Sequence, residues 1–247
     1  MNHTQNHFNR IAERHDQRVW VTAPAMQQYF MSMVPHLRQL NSVLDVGIGT
    51  AIFPQLLGIL GRQLVGIDVS GDMLSIAQQR FPNKRLLQAS GEAVPFRQNS
   101  FDLVYLRNVI KHVDSAQDLA SELVRVCKSN GNILVLESYA PSDLYKRVLS
   151  QFSLLTEPNQ NEMMGLAELR DIFGYEARLI AEKVFTIERC LLSDHLAALD
   201  IDADKQRLAI DMMLRSPDEF KSEISMKIDQ EDIRFMSFWV MLLFSKV

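Results

Sequence analysis

The residues with the clearest chemical purpose lie in one stretch, Val43-Leu44-Asp45-Val46-Gly47-Ile48-Gly49-Thr50-Ala51. An apolar run carries an acidic residue, two glycines follow at i and i+2, and a helix-compatible stretch begins at once. The pattern predicts a strand, a tight turn and a helix N-terminus. Gly47 and Gly49 lack a Cβ, so the backbone can turn sharply and a ligand can come close to it. The helix start is expected to turn unpaired N–H groups toward whatever occupies the turn.

Two ligands suit a strand, glycine turn and helix: a dinucleotide and S-adenosylmethionine. The dinucleotide fingerprint needs a third small residue at the sixth position from the first glycine, for close helix–strand packing. Counted from Gly47, that position is Ile52. The alternative spacing, an acidic residue followed by glycines at every second position, is met by Asp45, Gly47 and Gly49, with Ala51 in the last place. Ala51 favours the helix but puts a methyl where the backbone could approach a ligand. The next apolar run, Leu64-Val65-Gly66-Ile67, ends in Asp68. Its distance along the chain is roughly the 20 residues at which an acidic side chain meets ribose hydroxyls. A carboxylate can accept from both hydroxyls. Asp68 could equally cap the turn that follows it.

The elements that must position these residues alternate. Apolar runs at 42–46, 64–67, 86–88, 101–106 and 132–136 predict buried strands. Segments 51–60, 71–81 and 116–128 predict helices between them. This alternation argues a parallel sheet covered by helices. Residues 5–39 read as helical, with Pro24 in a first turn. Met26, Tyr29, Phe30, Met33, Val34 and Leu37 form an apolar stripe there, and Pro35 interrupts it. Asn130-Gly131 predicts a helix stop with glycine in the left-handed position. Later segments predict helices at 142–156, 165–173 and 203–225, the last broken near Pro217. Strands are predicted at 177–190 and 233–247. One domain over 1–247 is expected: a helical lid (1–40), a cofactor-binding core (41–140), and a C-terminal half with a cap (141–247).

Several stretches together resemble the class I S-adenosylmethionine-dependent methyltransferases. They are Val43–Ala51, Gly66-Ile67-Asp68-Val69-Ser70, Met73-Leu74, Ala89-Ser90-Gly91-Glu92-Ala93-Val94-Pro95-Phe96 and Asn99-Ser100-Phe101-Asp102-Leu103-Val104. The likeness is to the small-molecule branch that includes the ubiquinone and menaquinone biosynthesis C-methyltransferases. It is dense from about 40 to 138 and extends thinly to Phe8–Asp16, where the branch often has Tyr in place of His15. It implies a Rossmann-like, doubly wound, seven-stranded, mostly parallel sheet with N-terminal helices and a C-terminal helical lid. It also implies S-adenosylmethionine as cofactor and a small-molecule methyl acceptor. By resemblance, Asp45, Gly47 and Gly49 cradle the methionine end and Asp68 binds the ribose. Val69 and Met73 flank the adenine, and Ser90, Gly91 and Glu92 meet its edge. Many relatives have Asp where Ser90 stands. Arg107, Asn108 and Val109 then line the sulfonium end and the acceptor pocket. Arg107 would hold the cofactor carboxylate or an acidic substrate, unless it is a surface arginine paired with a carboxylate.

His112 and His15 are the candidate general bases for a phenol, amine or activated carbon acceptor. His195, Tyr139 and Glu137 are further candidates. Structural roles compete for both leading histidines. Methionines at 163, 164, 212, 213 and 226 would give the cap adaptable apolar surface. Composition sets the remaining bounds. The chain has 247 residues, 47% hydrophobic and 23% charged, with a formal net charge of −4, values of a globular protein with one large core. The acidic balance gives no support to nucleic-acid binding. Cys127 and Cys190 match no metal or redox spacing, so a reducing compartment and no metal are expected. With no signal core and no run long enough to span a membrane, the cytoplasm is the expected location. A monomer and a homodimer are both compatible with the sequence. The competing functions are a non-catalytic cofactor-binding or assembly protein on the same fold and a nicotinamide-dependent oxidoreductase.

Overall fold

The computed structural model describes residues 3–33, Pro35, 41–57, 63–157, 160–229 and 232–247. Five strands are parallel: β1 (Val43–Val46), β2 (Leu64–Asp68), β3 (Arg85–Gln88), β4 (Phe101–Arg107) and β5 (Cys127–Ser138). β8 (Ile233–Lys246) runs antiparallel to β5, and β6 (Ala177–Leu191) and β7 (Lys227–Ile228) each pair antiparallel with β8, so they point the same way as the first five. The order is β3-β2-β1-β4-β5-β8-β6, with β7 paired to β8. The predicted seven-stranded sheet therefore gains an eighth strand, a two-residue ribbon too short to show any pattern in sequence. From β1 the chain moves outward to β2 and β3, then returns to place β4 on the other side of β1. That reversal opens a crevice at the carboxyl ends of β1 and β4.

Alternate residues of each strand serve opposite faces, as a pleated sheet requires. Leu44, Val46, Val104, Leu106, Ile133 and Val135 pack on one side, against Leu119, Leu123 and Val126 of helix α6 (Ala116–Val126). Val43, Leu103, Tyr105, Leu134 and Leu136 pack on the other, against Met26, Phe30 and Met33. Those three residues belong to α3 (Pro24–Met33), whose first residue is Pro24 as expected. The N-terminal segment is not one helix. It breaks into α1 (His3–Ile11), a 3-10 turn at His15–Gln17, α2 (Val19–Thr22) and α3. Val34 and Leu37 of the predicted stripe lie outside the described residues, as does the end of the predicted 51–60 helix beyond Leu57; its described part is α4 (Ile52–Leu57).

Helix α5 (Gly71–Arg80) ends before Pro82 as expected. The predicted stop at Asn130-Gly131 is corrected. α6 ends at Val126 and the chain enters β5 directly. Asn130, with φ 61°, takes the left-handed conformation, a position Asn tolerates through its short polar side chain. Gly131 is needed for space instead: a Cβ there would lie 2.8 Å from the Lys128 carbonyl oxygen and 2.8 Å from Cys127 Sγ. A cap gathers around a third core. It joins α7 (Asp143–Thr156), α9 (Leu192–Ala197), α10 (Ala203–Arg215) and α11 (Asp218–Glu223), with Tyr145, Phe152, Leu196, Met213 and Phe220 buried together. The break between α10 and α11 falls at Pro217 as expected, whereas α9 gave no sequence signal. The predicted 165–173 helix is shorter, α8 (Leu166–Arg170). None of the described helices is long and apolar enough to cross a membrane.

Gly131→Ala is expected to cost about 1–3 kcal/mol through overpacking against fixed backbone. Asn130→Gly, which keeps the left-handed turn, is expected to be tolerated. Urea unfolding of the two variants checks the contrast, and equal midpoints would overturn the assignment.

Candidate functional site

One cavity of about 320 Å³ opens at the crevice, bordered by the ends of β1, β2, β3 and β4. The turn after β1 forms its floor. Gly47 has φ +73°, and a Cβ there would meet Val109 Cγ2 at 2.4 Å, so only glycine allows this approach of turn to loop. The turn does not offer free N–H groups in the way the sequence suggested. Gly47 N and Ile48 N donate to the Ile67 carbonyl at 2.8 and 3.0 Å, and Ala51 N donates to the Ile48 carbonyl at 3.0 Å. Gly49 N donates to Asp68 Oδ2 at 2.8 Å. A ligand would meet the bare Cα surface of the turn more than its amides. Ala51 has φ 59°, a conformation that costs a non-glycine residue roughly 1–2 kcal/mol. Its methyl is buried in the core and does not border the cavity.

Asp68 fulfils both readings offered by the sequence. Its Oδ1 accepts from Ser70 N at 2.9 Å, capping the turn, and the carboxylate still borders the cavity. Each oxygen keeps a second lone pair for a ligand hydroxyl. Burial pushes its pKa up, against the hydrogen bonds from Ser70, Gly49 and Val69. Val69, Met73, Ser90, Gly91 and Glu92 all border the same cavity. Ser90 Oγ donates to Glu92 Oε2 at 3.1 Å and accepts from Glu92 N at 3.1 Å. Glu92 Oε1 in turn accepts from Ser115 N at 2.7 Å, so this loop is braced against the start of α6.

Asp45 stands apart. It is buried behind the turn and does not border the cavity. Tyr105, its register partner on β4, donates its hydroxyl to Asp45 Oδ2. Burial pushes the Asp45 carboxyl up to about 7, with Tyr105 and Arg107 opposing. Arg107 does border the cavity. It is not a surface arginine paired with a carboxylate: its Nη1 donates to the Val21 carbonyl at 2.9 Å and its guanidinium lies 4.7 Å from the Phe53 ring centroid. Asn108 and Val109 also border the cavity, as expected.

The two candidate histidines reach the cavity from different sides. His15 comes from the lid, its Cε1 4.0 Å from where a Gly49 Cβ would be. Burial lowers its pKa to about 4, against the bond to Asp16. Asp16 is clamped by Thr50 Oγ1 at 2.6 Å and by Arg80 Nη2 at 2.5 Å. Burial opposes ionisation of Asp16, but His15, Thr50 and Arg80 hold it at about 2. His112 lies edge-on to Phe8, ring centroids 4.9 Å apart. Burial, then Lys111, lowers its pKa well below the usual value. Both imidazoles are neutral at pH 7. Glu137 is buried beneath the same loop, accepting from Ile110 N and Ser138 N at 3.1 Å each, and Tyr139 packs against Phe238.

Sequence reasoning missed Trp20, Gln88 and Trp239, which also border the cavity. Gln88 ends β3, so the rule that strand carboxyl ends form the binding edge would have found it. The tryptophans come from opposite ends of the chain, and only folding brings them together.

Comparison with known proteins defines the class. A methyltransferase domain family matches residues 44–135. The ubiquinone/menaquinone biosynthesis C-methyltransferase UbiE of Pseudomonas fluorescens is 30% identical over 191 residues, covering 72% of each chain. A malonyl-[acyl-carrier protein] O-methyltransferase of a Marinomonas species is 33% identical over 189 residues, 73% of this chain and 68% of that one. The crystal structure of YcgJ from Bacillus subtilis superposes with a TM-score of 0.76 at 21% identity, covering 90% of this chain and 98% of that one. The fold is thus that of Rossmann-like methyltransferases. The chain belongs to the class I S-adenosylmethionine-dependent methyltransferases, of the small-molecule type.

The buried Asp45 makes a titration test of this site possible. Between pH about 4 and about 7 the folded chain keeps a proton on Asp45 that the unfolded chain has released. Its contribution to stability therefore falls as pH rises across that window and is level above it. His15 and His195, both lowered to about 4, work in the opposite sense up to about pH 6.5, because only the unfolded chain takes up their protons. The Asp45 contribution is read by difference. Asp45→Asn keeps an oxygen for Tyr105 and should gain Tm relative to the parent chain between about pH 5 and about pH 7.5. A Tm difference that stays constant across that range would refute the assignment.

Proposed function

We propose that the main cavity holds S-adenosylmethionine and that the chain transfers its methyl group to a small, partly apolar or aromatic acceptor. The single observation that carries this reading is the convergence of Gly47, Gly49, Asp68, Met73 and Ser90 on one cavity at the strand switch point. The residues fit the cofactor. Gly47 and Gly49 present bare Cα surface to the cavity, and Asp68 offers free lone pairs at the end of β2. Val69 and Met73 would give the adenine apolar walls, with Ser90, Gly91 and Glu92 at its edge. Gly47, Gly49 and Arg107 would meet the methionine end, and Asp45 would act on it from behind through Tyr105 and Arg107.

The cofactor supplies an electrophilic methyl on a positive sulfur. The chain's part is to orient the acceptor and exclude water. Trp20, Phe8 and His15 of the lid and Trp239 of β8 do the excluding. His15 and His112, both neutral, are the side chains able to take an acceptor's proton. UbiE is named for C-methylation and the Marinomonas relative for O-methylation, so the methylated atom is not inherited from either. The non-catalytic alternative drew on Ala51 and Ser90. It loses support because the Ala51 methyl points into the core and Ser90 remains in the cavity wall. We further infer one functional domain, with 41–140 holding the cofactor and 1–40 and 141–247 closing over it. The two free, buried cysteines support a reducing setting such as the cytoplasm, with the chain acting as monomer or homodimer on a small molecule and not on nucleic acid.

Calorimetry with S-adenosylhomocysteine is expected to show binding, and Asp68→Ala is expected to weaken it at least about tenfold, the loss of charge-assisted hydrogen bonds. Circular dichroism on the variant separates this from unfolding. No binding to the parent chain would overturn the reading, as would unchanged affinity in a folded Asp68→Ala.

A further inference from the structure

Beneath the cap lies a second cavity of about 90 Å³. It adjoins the first, since Trp20, Asn108 and Trp239 border both. One water-sized sphere needs about 10–15 Å³, so this space suits a single small ring and not a polycycle. Its walls are largely aromatic and aliphatic, with Phe152, Phe220 and Phe235 among them. Among the described residues no Asp or Glu borders it, and Lys111 is its one charged lining residue.

The acidic groups near Lys111 each have closer partners, although the charge of Lys111 also acts on Glu137 and Glu157 at longer range. Glu157 pairs with His7 at 3.2 Å and with Arg18 at 3.5 Å. Glu162 and Glu168 pair with Lys146 at 3.6 and 3.4 Å. Glu137 accepts from two backbone amides. Lys111 itself forms no ion pair within 4.0 Å with a described residue. A second polar group is also unmatched. His195 Nδ1 is buried with no hydrogen-bond partner among the described residues. Its ring lies 4.9 Å from Trp20 and 5.6 Å from Phe152, centroid to centroid. A buried polar atom without a partner is costly, and a bound ligand can remove that cost. An acid-free cavity whose one cation has no contact ion pair of its own disfavours an amine and favours an anion.

We propose that this cavity is the acceptor subsite and takes a monocyclic aromatic acid, its ring among Trp20, Phe152 and Trp239 and its carboxylate toward Lys111. His195 supplies the second polar contact, to a substituent on the ring. The proposal rests on the methyltransferase reading above, because an acceptor must lie beside the cofactor's cavity.

The chain's two tryptophans both border the subsite, so its occupancy is open to intrinsic fluorescence as well as calorimetry. The full chain, saturated with S-adenosylhomocysteine, is titrated with 4-hydroxybenzoate and with the uncharged 4-hydroxybenzamide. The acid is expected to bind at least about tenfold more tightly than the amide and to change the tryptophan emission. Lys111→Gln should abolish that preference and Lys111→Arg should keep it. Equal affinity for acid and amide, binding of neither, or an undiminished preference in Lys111→Gln overturns the proposal. Should Lys111→Gln fail to fold, the acid-to-amide ratio of the parent chain still decides. S-adenosylhomocysteine binding is read on the same samples. Its absence in the parent chain defeats the methyltransferase reading and this proposal with it. Its presence without an acid preference defeats this proposal alone.

Discussion

The carboxylate of Asp68 holds two turns at a fixed distance from each other. One oxygen accepts from Gly49 N, in the turn after β1, and the other from Ser70 N, in the turn after β2. Both turns would otherwise leave a buried amide near a cavity with nothing to bond. A buried carboxylate is costly, and its raised pKa expresses that cost. Two backbone donors offset it, because hydrogen bonds to an ionised group are stronger than neutral ones. The same group therefore shapes the cavity and faces into it. A substitution here changes the floor and the ligand contact together.

The lid is attached at the same two turns. Ser70 Oγ donates to Asn9 Oδ1 of α1 at 2.6 Å while accepting from Met73 N as the cap of α5. Asp16, two residues before Arg18, reaches Thr50 in the glycine turn and Arg80 at the end of α5, and Arg80 Nη1 donates to the Thr50 carbonyl at 2.6 Å. Asn9 and Asp16, with Arg10 paired to Asp200 at 2.7 Å, are polar anchors of a segment whose apolar residues, Phe8 and Ile11, pack with Met73. This N-terminal segment is held beside the cavity because its bonds go to Thr50 and Ser70, next in sequence to the lining residues Gly49 and Val69.

The strands and many of the residues that line the crevice cavity were legible because their signals are local. A glycine turn, an acidic residue ending the next strand and a serine cap each declare themselves within a few positions. Asp68, Val69, Met73, Ser90, Gly91 and Arg107 accordingly border the cavity they were expected to border. What remained hidden depends on pairing across the sheet or on closure of the cap. Asp45 is withdrawn from the cavity by Tyr105, sixty positions on, through a strand register no local pattern reveals. The N–H groups of the turn were expected to be free, but the carbonyl of Ile67 on β2 takes two of them. At Asn130-Gly131 the expected roles were divided: the left-handed position fell to Asn130, and Gly131 answered to crowding from Cys127 and Lys128. The second cavity needs Trp20, Lys111, His195 and Trp239 from four separate elements.

Asn108 borders both cavities, and its backbone shows how that border is held. It has φ 57°, left-handed, directly after the last residue of β4. Its N–H still donates to the Leu136 carbonyl at 2.9 Å, so the sheet ladder continues to this residue and the turn begins only beyond it. Its amide oxygen accepts from Ser138 Oγ at 3.4 Å, tying the ends of β4 and β5 together. A β-branched or bulky residue would pay more for this conformation, while Asn tolerates it. Backbone in so sparsely populated a region persists where its surroundings over-determine it, and such residues cluster at functional sites. Here the surroundings are the β5 ladder on one side and Val109, seated against Gly47, on the other. The border shared by the two cavities is thus fixed by backbone constraint at the sheet switch point. Trp239 of β8 and Trp20 of α2 complete it from opposite ends of the chain.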